Sequence, residues 1–305
     1  MGSSWTLHDA ARLDGATAVV TGANSGLGFE TARALRAKGA QVIMACRNAT
    51  KAADAISRLE SEGPGAQPVF VALDLEDFDS VRAAAAEIAS GYGSLDLLIN
   101  NAGVMGLRGP DGPDRQMKAN HLGHVALTVD LLPAIEAAQG RIVVVSSNMH
   151  RQGAISLTAP LDVADQKPIA AYGSSKLANL LFAFEADRRL RAASSPASIR
   201  AAHPGWSRSE LAANGPVDGA GSISKRLGSF AGAHLGQKTR NGALPTLRAA
   251  LDPSIPAGGY VGPSGLMELW GRPEPVGASK DATNPLLAGA LFDASLAAVG
   301  ANWPS

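Results

Sequence analysis

Thr17-Ala18-Val19-Val20-Thr21-Gly22-Ala23-Asn24-Ser25-Gly26-Leu27-Gly28 is the stretch on which the reading of this chain turns. Residues Thr17 to Thr21 are apolar or β-branched and predict a short strand, and the run from Gly26 to Lys38 predicts a helix. Between them, glycines at 22, 26 and 28 let the backbone turn tightly and bring bare main chain close to an anion at the helix N-terminus. The spacing is neither G-x-G-x-x-G nor the Gly-Lys-Ser/Thr of a P-loop. On spacing alone, a ligand-binding turn and a strand-to-helix turn with incidental glycines stand level.

The surrounding pattern separates the two. Gln41–Ala45, Val69–Leu73, Leu95–Ile99, Arg141–Ser146 and Ser198–Ala202 each read as a short apolar strand. Helical runs separate them at Ala49–Glu62, Phe78–Ser90, Arg115–Ala138 and Ala170–Ala193. Strands without polar alternation, each followed by a helix, predict an α/β fold: a doubly wound parallel sheet covered on both faces. Ligands of such sheets bind at the carboxyl ends of the strands, which favours a nucleotide at the glycine turn. A weak strand at Gly259–Val261 and a helix over Asn284–Val299 complete the chain. No linker divides it, so residues 1–305 are read as one domain, with a core over 16–203 and a C-terminal completion over 241–305. The stretch 204–240, rich in Gly, Ala and Ser, is long enough to serve as a lid over a substrate.

Composition bounds the function. Twenty-seven basic residues balance 27 acidic ones, so no net field draws the chain to nucleic acid or an anionic membrane. A single cysteine, Cys46, excludes an internal disulfide and fits a reducing compartment. Met1 to Leu13 lacks a basic start followed by an apolar run, and no stretch approaches the roughly 18 apolar residues of a membrane helix. These features lead to the expectation of a cytoplasmic protein with no membrane insertion. His121 and His124, three apart, have no companions at ligand spacing, so no metal is expected. The absence of a G-x-S-x-G elbow argues against a serine hydrolase.

Thr21-Gly-x-x-x-Gly-x-Gly28, Asn100-Asn101-Ala102-Gly103 after strand four, Tyr172-x-x-x-Lys176 and Pro204-Gly205 after strand six occur in one order. Together they resemble the motifs of the short-chain dehydrogenase/reductase family over about residues 16–210. Ala171 to Asn179 is most similar to the branch containing retinol dehydrogenases and related bacterial oxidoreductases. The resemblance implies a Rossmann fold and a nicotinamide dinucleotide cofactor. It implies cofactor contacts from Gly22, Asn24, Ser25, Gly26, Leu27, Gly28, Asp74, Leu75, Asn101, Ala102, Gly103, Tyr172, Lys176, Pro204, Gly205 and Ser209. It also implies a homo-oligomer formed through the helices near 115–138 and 170–193.

In NAD-binding folds an acid ending the second strand accepts bonds from the ribose 2′-hydroxyl. Here that place is held by Cys46, followed by Arg47, whose forked donors suit a 2′-phosphate. The cofactor expected is therefore NADP(H), with an NAD-linked alcohol dehydrogenase as the nearest alternative.

Tyr172 and Lys176, four apart, share one helix face. A free phenol titrates near about pH 10, and an adjacent ammonium favours its ionised form, which makes it useful as a proton donor and acceptor. By the resemblance, Ser147, the second of a pair ending strand five, binds the substrate oxygen, and Asn120 holds a water in a proton relay. Ser147 and Tyr172 lie 25 residues apart, further than is usual in the family, which leaves open the wall around Met149. Trp206 and Leu211 are candidates for an apolar pocket. The activity expected is hydride transfer between nicotinamide and a hydrophobic aldehyde, ketone or alcohol. A non-catalytic NADP-binding regulator, or an epimerase using the cofactor only transiently, would share the fold.

Overall fold

The computed structural model describes residues 5–107, 109–206 and 237–303. Its sheet has the strand order β3-β2-β1-β4-β5-β6-β7-β8. The strands are β1 (Thr17–Thr21), β2 (Gln41–Cys46), β3 (Val69–Ala72), β4 (Leu97–Asn100), β5 (Arg141–Val145), β6 (Ser198–Ala202), β7 (Tyr260–Pro263) and β8 (Pro273–Pro275). The first seven are parallel, and β8 alone runs antiparallel, on β7. The chain winds outward from β1 through β2 to β3, then returns to pair β4 with the other side of β1. That reversal opens a crevice beyond the carboxyl ends of β1 and β4.

Strand patterning explains the two-layer cover. Along β4, Leu98 packs into one core while Leu97 and Ile99 pack into the other; along β5, Ile142 and Val144 alternate in the same way with Val143 and Val145. Helices α1 (Gly26–Ala37) and α2 (Ala49–Ser61) cover one face of the sheet. The other face is covered by α3 (Phe78–Tyr92), α5 (Gly123–Ala137), α6 (Pro168–Ala192) and the C-terminal helix, Pro285–Val299. Two short helices, α7 (Thr239–Gly242) and α8 (Leu244–Leu251), lead into β7.

Two departures from expectation stand out. The single helix expected over 115–138 is α4 (Gly112–Met117), a π-helical turn over Lys118–Leu122, and then α5. The antiparallel β8 had no sequence signal, because two of its three residues are proline. Proline is tolerated there because an edge strand needs fewer ladder donors.

The C-terminal helix lies across α5 and α6, the helices expected to meet a second copy. Phe182 stacks on Phe292 at 5.5 Å, and Trp303 meets both edge-on at 6.2 and 5.1 Å. Arg189 sits over the Phe292 ring and bonds Asp293 at 2.8 Å. Among the described residues, much of this helical face is therefore buried within the chain itself. No helix among them is long and apolar enough to cross a membrane.

Candidate active site

The crevice is stapled at its base by Thr21. Its hydroxyl oxygen accepts from the main-chain N–H groups of Asn101 and Ala102, both at 2.9 Å, while Asn101 Nδ2 donates to the Thr21 carbonyl at 2.8 Å. His124 Nδ1 lies 3.1 Å from the carbonyl of Asn120, which can only accept, so the proton is on Nδ1. Its Nε2 must then accept from the Thr21 hydroxyl at 2.9 Å. Burial lowers the His124 pKa to about 3, in keeping with this neutral ring. His121 bonds Asn179 at 3.3 Å and Ser295 at 2.8 Å, so both histidines serve core hydrogen bonds.

The glycine turn leads into α1 with left-handed φ at Gly22 (65°) and Gly26 (57°). A Cβ on Gly28 would lie 2.4 Å from the Gly22 carbonyl, so only glycine lets the helix start this close to the strand. Asn48, Asp77 and Asn284 cap their helices with side chains, but Ser25 makes no such bond to α1. The first-turn N–H groups of α1 thus receive no side-chain cap from Ser25.

A cavity of about 330 Å³ runs from this turn across the strand ends. It is lined by Gly22, residues 24–28, Arg47, Asp74, Leu75, residues 101–103, Tyr172, Lys176 and Pro204. These fifteen or so expected contacts, scattered from 22 to 204, are brought into one groove. Cys46 lines it as well, and burial pushes its thiol up to about 11, so no anion forms at the end of β2. Arg47 stands at the outer rim, its side chain 65% exposed, with Nη1 3.6 Å from Glu76 and 3.9 Å from Asp74. Asp74 Oδ1 accepts from the Glu76 N–H at 3.0 Å, closing a turn; the cap of α3 is Asp77 instead.

At the other end, α6 delivers Tyr172 and Lys176, both buried. Lys176 Nζ donates to the Val145 carbonyl at 3.1 Å and lies 5.7 Å from the centre of the Tyr172 ring. A Cβ on Gly103 would come within 3.3 Å of both Lys176 Nζ and Asn120 Oδ1, so the missing side chain keeps space open beside the ammonium. Asn120 sits in the π-turn. Its Oδ1 accepts from Val104 N–H at 2.7 Å, and its Nδ2 donates to the Val104 carbonyl at 2.8 Å and to Ser175 Oγ at 2.9 Å. The side-chain amide therefore fastens the exit of β4 to α6.

Of the serine pair, Ser146 lines the cavity and donates to the Lys176 carbonyl at 2.8 Å. Ser147 lies just beyond, where its oxygen accepts from Met149 N–H at 3.2 Å, a bond that does not use its hydroxyl proton. Asn120, Ser147, Met149, Gly205 and the half-exposed Trp206 are not among the residues that line the cavity. Ser209, Leu211 and most of the 204–240 stretch lie outside the described residues.

Two side-chain pairings at the ends of the strands escaped sequence reasoning. Glu76 lines the cavity rim and forms a two-pronged pair with Arg115, at 2.6 and 3.1 Å. His203, buried at the exit of β6, accepts from Gly205 N–H through Nδ1 at 3.3 Å, which leaves Nε2 protonated and facing Glu268 Oε2 at 3.1 Å. His203, with Arg151 in support, holds the Glu268 carboxyl below its ordinary range and ties the turns after β5, β6 and β7 together. Glu76 was separated from Arg115 by 39 residues, and nothing local marked either.

Comparison with known proteins agrees with this geometry. The family model described as short chain dehydrogenase matches residues 16–215. Dehydrogenase/reductase SDR family member 13 of Bos taurus is 43% identical over 206 residues, 66% of this chain and 54% of its own length. Retinol dehydrogenase 12 of Mus musculus is 40% identical over 210 residues, 67% of this chain and 65% of its own length. The chain thus matches between half and two thirds of these relatives. A crystal structure of an uncharacterized protein from Mycobacterium Paratuberculosis superposes with a TM-score of 0.79 at 37% identity, covering 99% of this chain and 100% of that one. The fold, the cavity and these matches together place the chain in the short chain dehydrogenase family of oxidoreductases, which use a nicotinamide cofactor.

Proposed function

We propose that this chain is an NADP(H)-dependent oxidoreductase acting on a hydrophobic aldehyde, ketone or alcohol. The observation that carries the reading is a single cavity with Arg47 at one end and the buried Tyr172 and Lys176 at the other. The donor set suits a dinucleotide: an uncapped helix start and glycine main chain for the pyrophosphate, a guanidinium for a 2′-phosphate, and Asp74 for the adenine amino group. Asn101 to Gly103, Lys176, Pro204 and Gly205 would hold the nicotinamide half.

When bound, the nicotinamide supplies or accepts the hydride. The protein handles the proton and the charge. In reduction, Tyr172 donates its phenolic proton to the carbonyl oxygen, and Ser147 donates a hydrogen bond to the same oxygen. Lys176 places a positive charge one helical turn from the phenol and favours its ionised form, so the proton leaves readily. Asn120 fixes the main chain facing Lys176 and offers its carbonyl to a water that returns the proton. Met149 and Trp206, at the turns after β5 and β6, supply apolar wall for the substrate. The retinol dehydrogenases among the relatives support an apolar alcohol or aldehyde.

A screen of NADPH consumption across aldehydes and ketones of increasing apolar size tests the reading. Turnover should rise with chain length or ring size. A protein that binds NADPH but reduces none of them would be a regulator rather than an enzyme.

A further inference from the structure

We propose that Glu76 is a specificity-determining residue that sets how strongly the site prefers a 2′-phosphorylated dinucleotide; this rests on Arg47 being the 2′-phosphate contact. Four charged side chains meet at that rim: Arg47, Asp74, Glu76 and Arg115. Two guanidinium groups face two carboxylates, so the rim is neutral, although a phosphate monoester arriving there carries a charge of about −1.5 to −2.

The two arginines are not equivalent. Arg115 grips Glu76 through two charge-assisted hydrogen bonds, at 2.6 and 3.1 Å, a geometry that is directional and strong for such a pair. Arg47 meets the same carboxylate only at 3.6 Å and Asp74 at 3.9 Å, both beyond hydrogen-bond length. Arg47 is therefore the exchangeable cation, able to leave the carboxylates for a phosphate. Glu76 opposes that exchange twice, by competing for Arg47 and by repelling the incoming dianion. Arg115 limits the opposition by holding Glu76 and neutralising it. The side chain of Glu76 is only 18% exposed, so its charge is less screened than that of its partners.

A ribose 2′-hydroxyl carries no charge for Glu76 to repel, so the effect must show as a change in the ratio of NADP to NAD affinity. One unit-charge contact near 4 Å in water corresponds to about fivefold in a binding constant. Dissociation constants of NADP and NAD, measured by calorimetric titration of the full chain, give the test. Glu76→Gln should tighten NADP by about fivefold and leave NAD within about twofold. Arg115→Ala should weaken NADP, and adding Glu76→Gln should cancel that loss, because Arg115 acts through Glu76. An unchanged affinity ratio in Glu76→Gln, with Arg47→Ala still lowering it, overturns the role of Glu76 and leaves the 2′-phosphate contact standing. An unchanged ratio in Arg47→Ala overturns both. A loss from Arg115→Ala that persists beside Glu76→Gln would make Arg115 itself the phosphate contact and would likewise end the proposal.

Discussion

The two ends of the cavity are built from opposite materials. Around Lys176 and Asn120 the polar groups are buried and matched by hydrogen bonds between 2.7 and 3.1 Å, and a change in one partner strands another. At the rim, Arg47 itself makes only ion pairs of 3.6 and 3.9 Å from a side chain that is 65% exposed, where solvent screens them. Under the proposed function, the difference indicates where each task would sit. Proton transfer needs groups fixed to a fraction of an ångström, and the chain spends its buried hydrogen bonds there. On the same reading, cofactor choice would need a cation able to change partners, and Arg47 stands at the solvent edge.

This contrast can be broken or sharpened by substitution. Lys176→Met should lower turnover by about 10²–10⁴-fold and also weaken dinucleotide binding, measured by NADPH absorbance and by titration. Asn120→Ala strands the N–H and carbonyl of Val104 and should cost about 2–4 kcal/mol in urea unfolding. A loss below about 0.5 kcal/mol would mean the catalytic end is not the rigid one.

Acidity should act on the buried end as well. Burial lowers His121 to about 4 and His124 to about 3, below the ordinary value of roughly 6.5. As pH falls below about 6.5 the unfolded rings gain protons before the folded ones, so unfolding is favoured. Stability should be at its fullest above about pH 6.5 and decline towards pH 4, by on the order of 2 kcal/mol per ring at pH 5. A flat urea midpoint between pH 7 and 5 would contradict the buried neutral rings. The smallest effect belongs to the rim: Arg47→Ala should change stability by no more than about 0.5 kcal/mol while weakening NADP.

What the sequence revealed follows the same division. The strand-helix rhythm, the glycine turn and the Tyr172–Lys176 pair are local patterns, so they could be read without a partner. The π-turn at Lys118–Leu122 could not, because propensity sees only helix there. Its wider register is fixed by Asn120 reaching Val104 and Ser175, contacts 16 and 55 residues away. Arg47 was legible as a cation beside a missing acid. Its competitor Glu76 and the clamp Arg115 were not, since an ion pair spanning 39 residues leaves no local signature. The meeting of His203 with Glu268 was hidden for the same reason, with α7, α8 and β7 lying between them in the chain.

The most direct measurement is paired turnover and cofactor affinity in Tyr172→Phe, which removes one oxygen and keeps the ring in its buried place. NADPH affinity should stay within about twofold of the parent while reduction of an apolar aldehyde falls by at least about 10²-fold. Turnover comparable to the parent would remove the phenol from proton transfer and contradict the account.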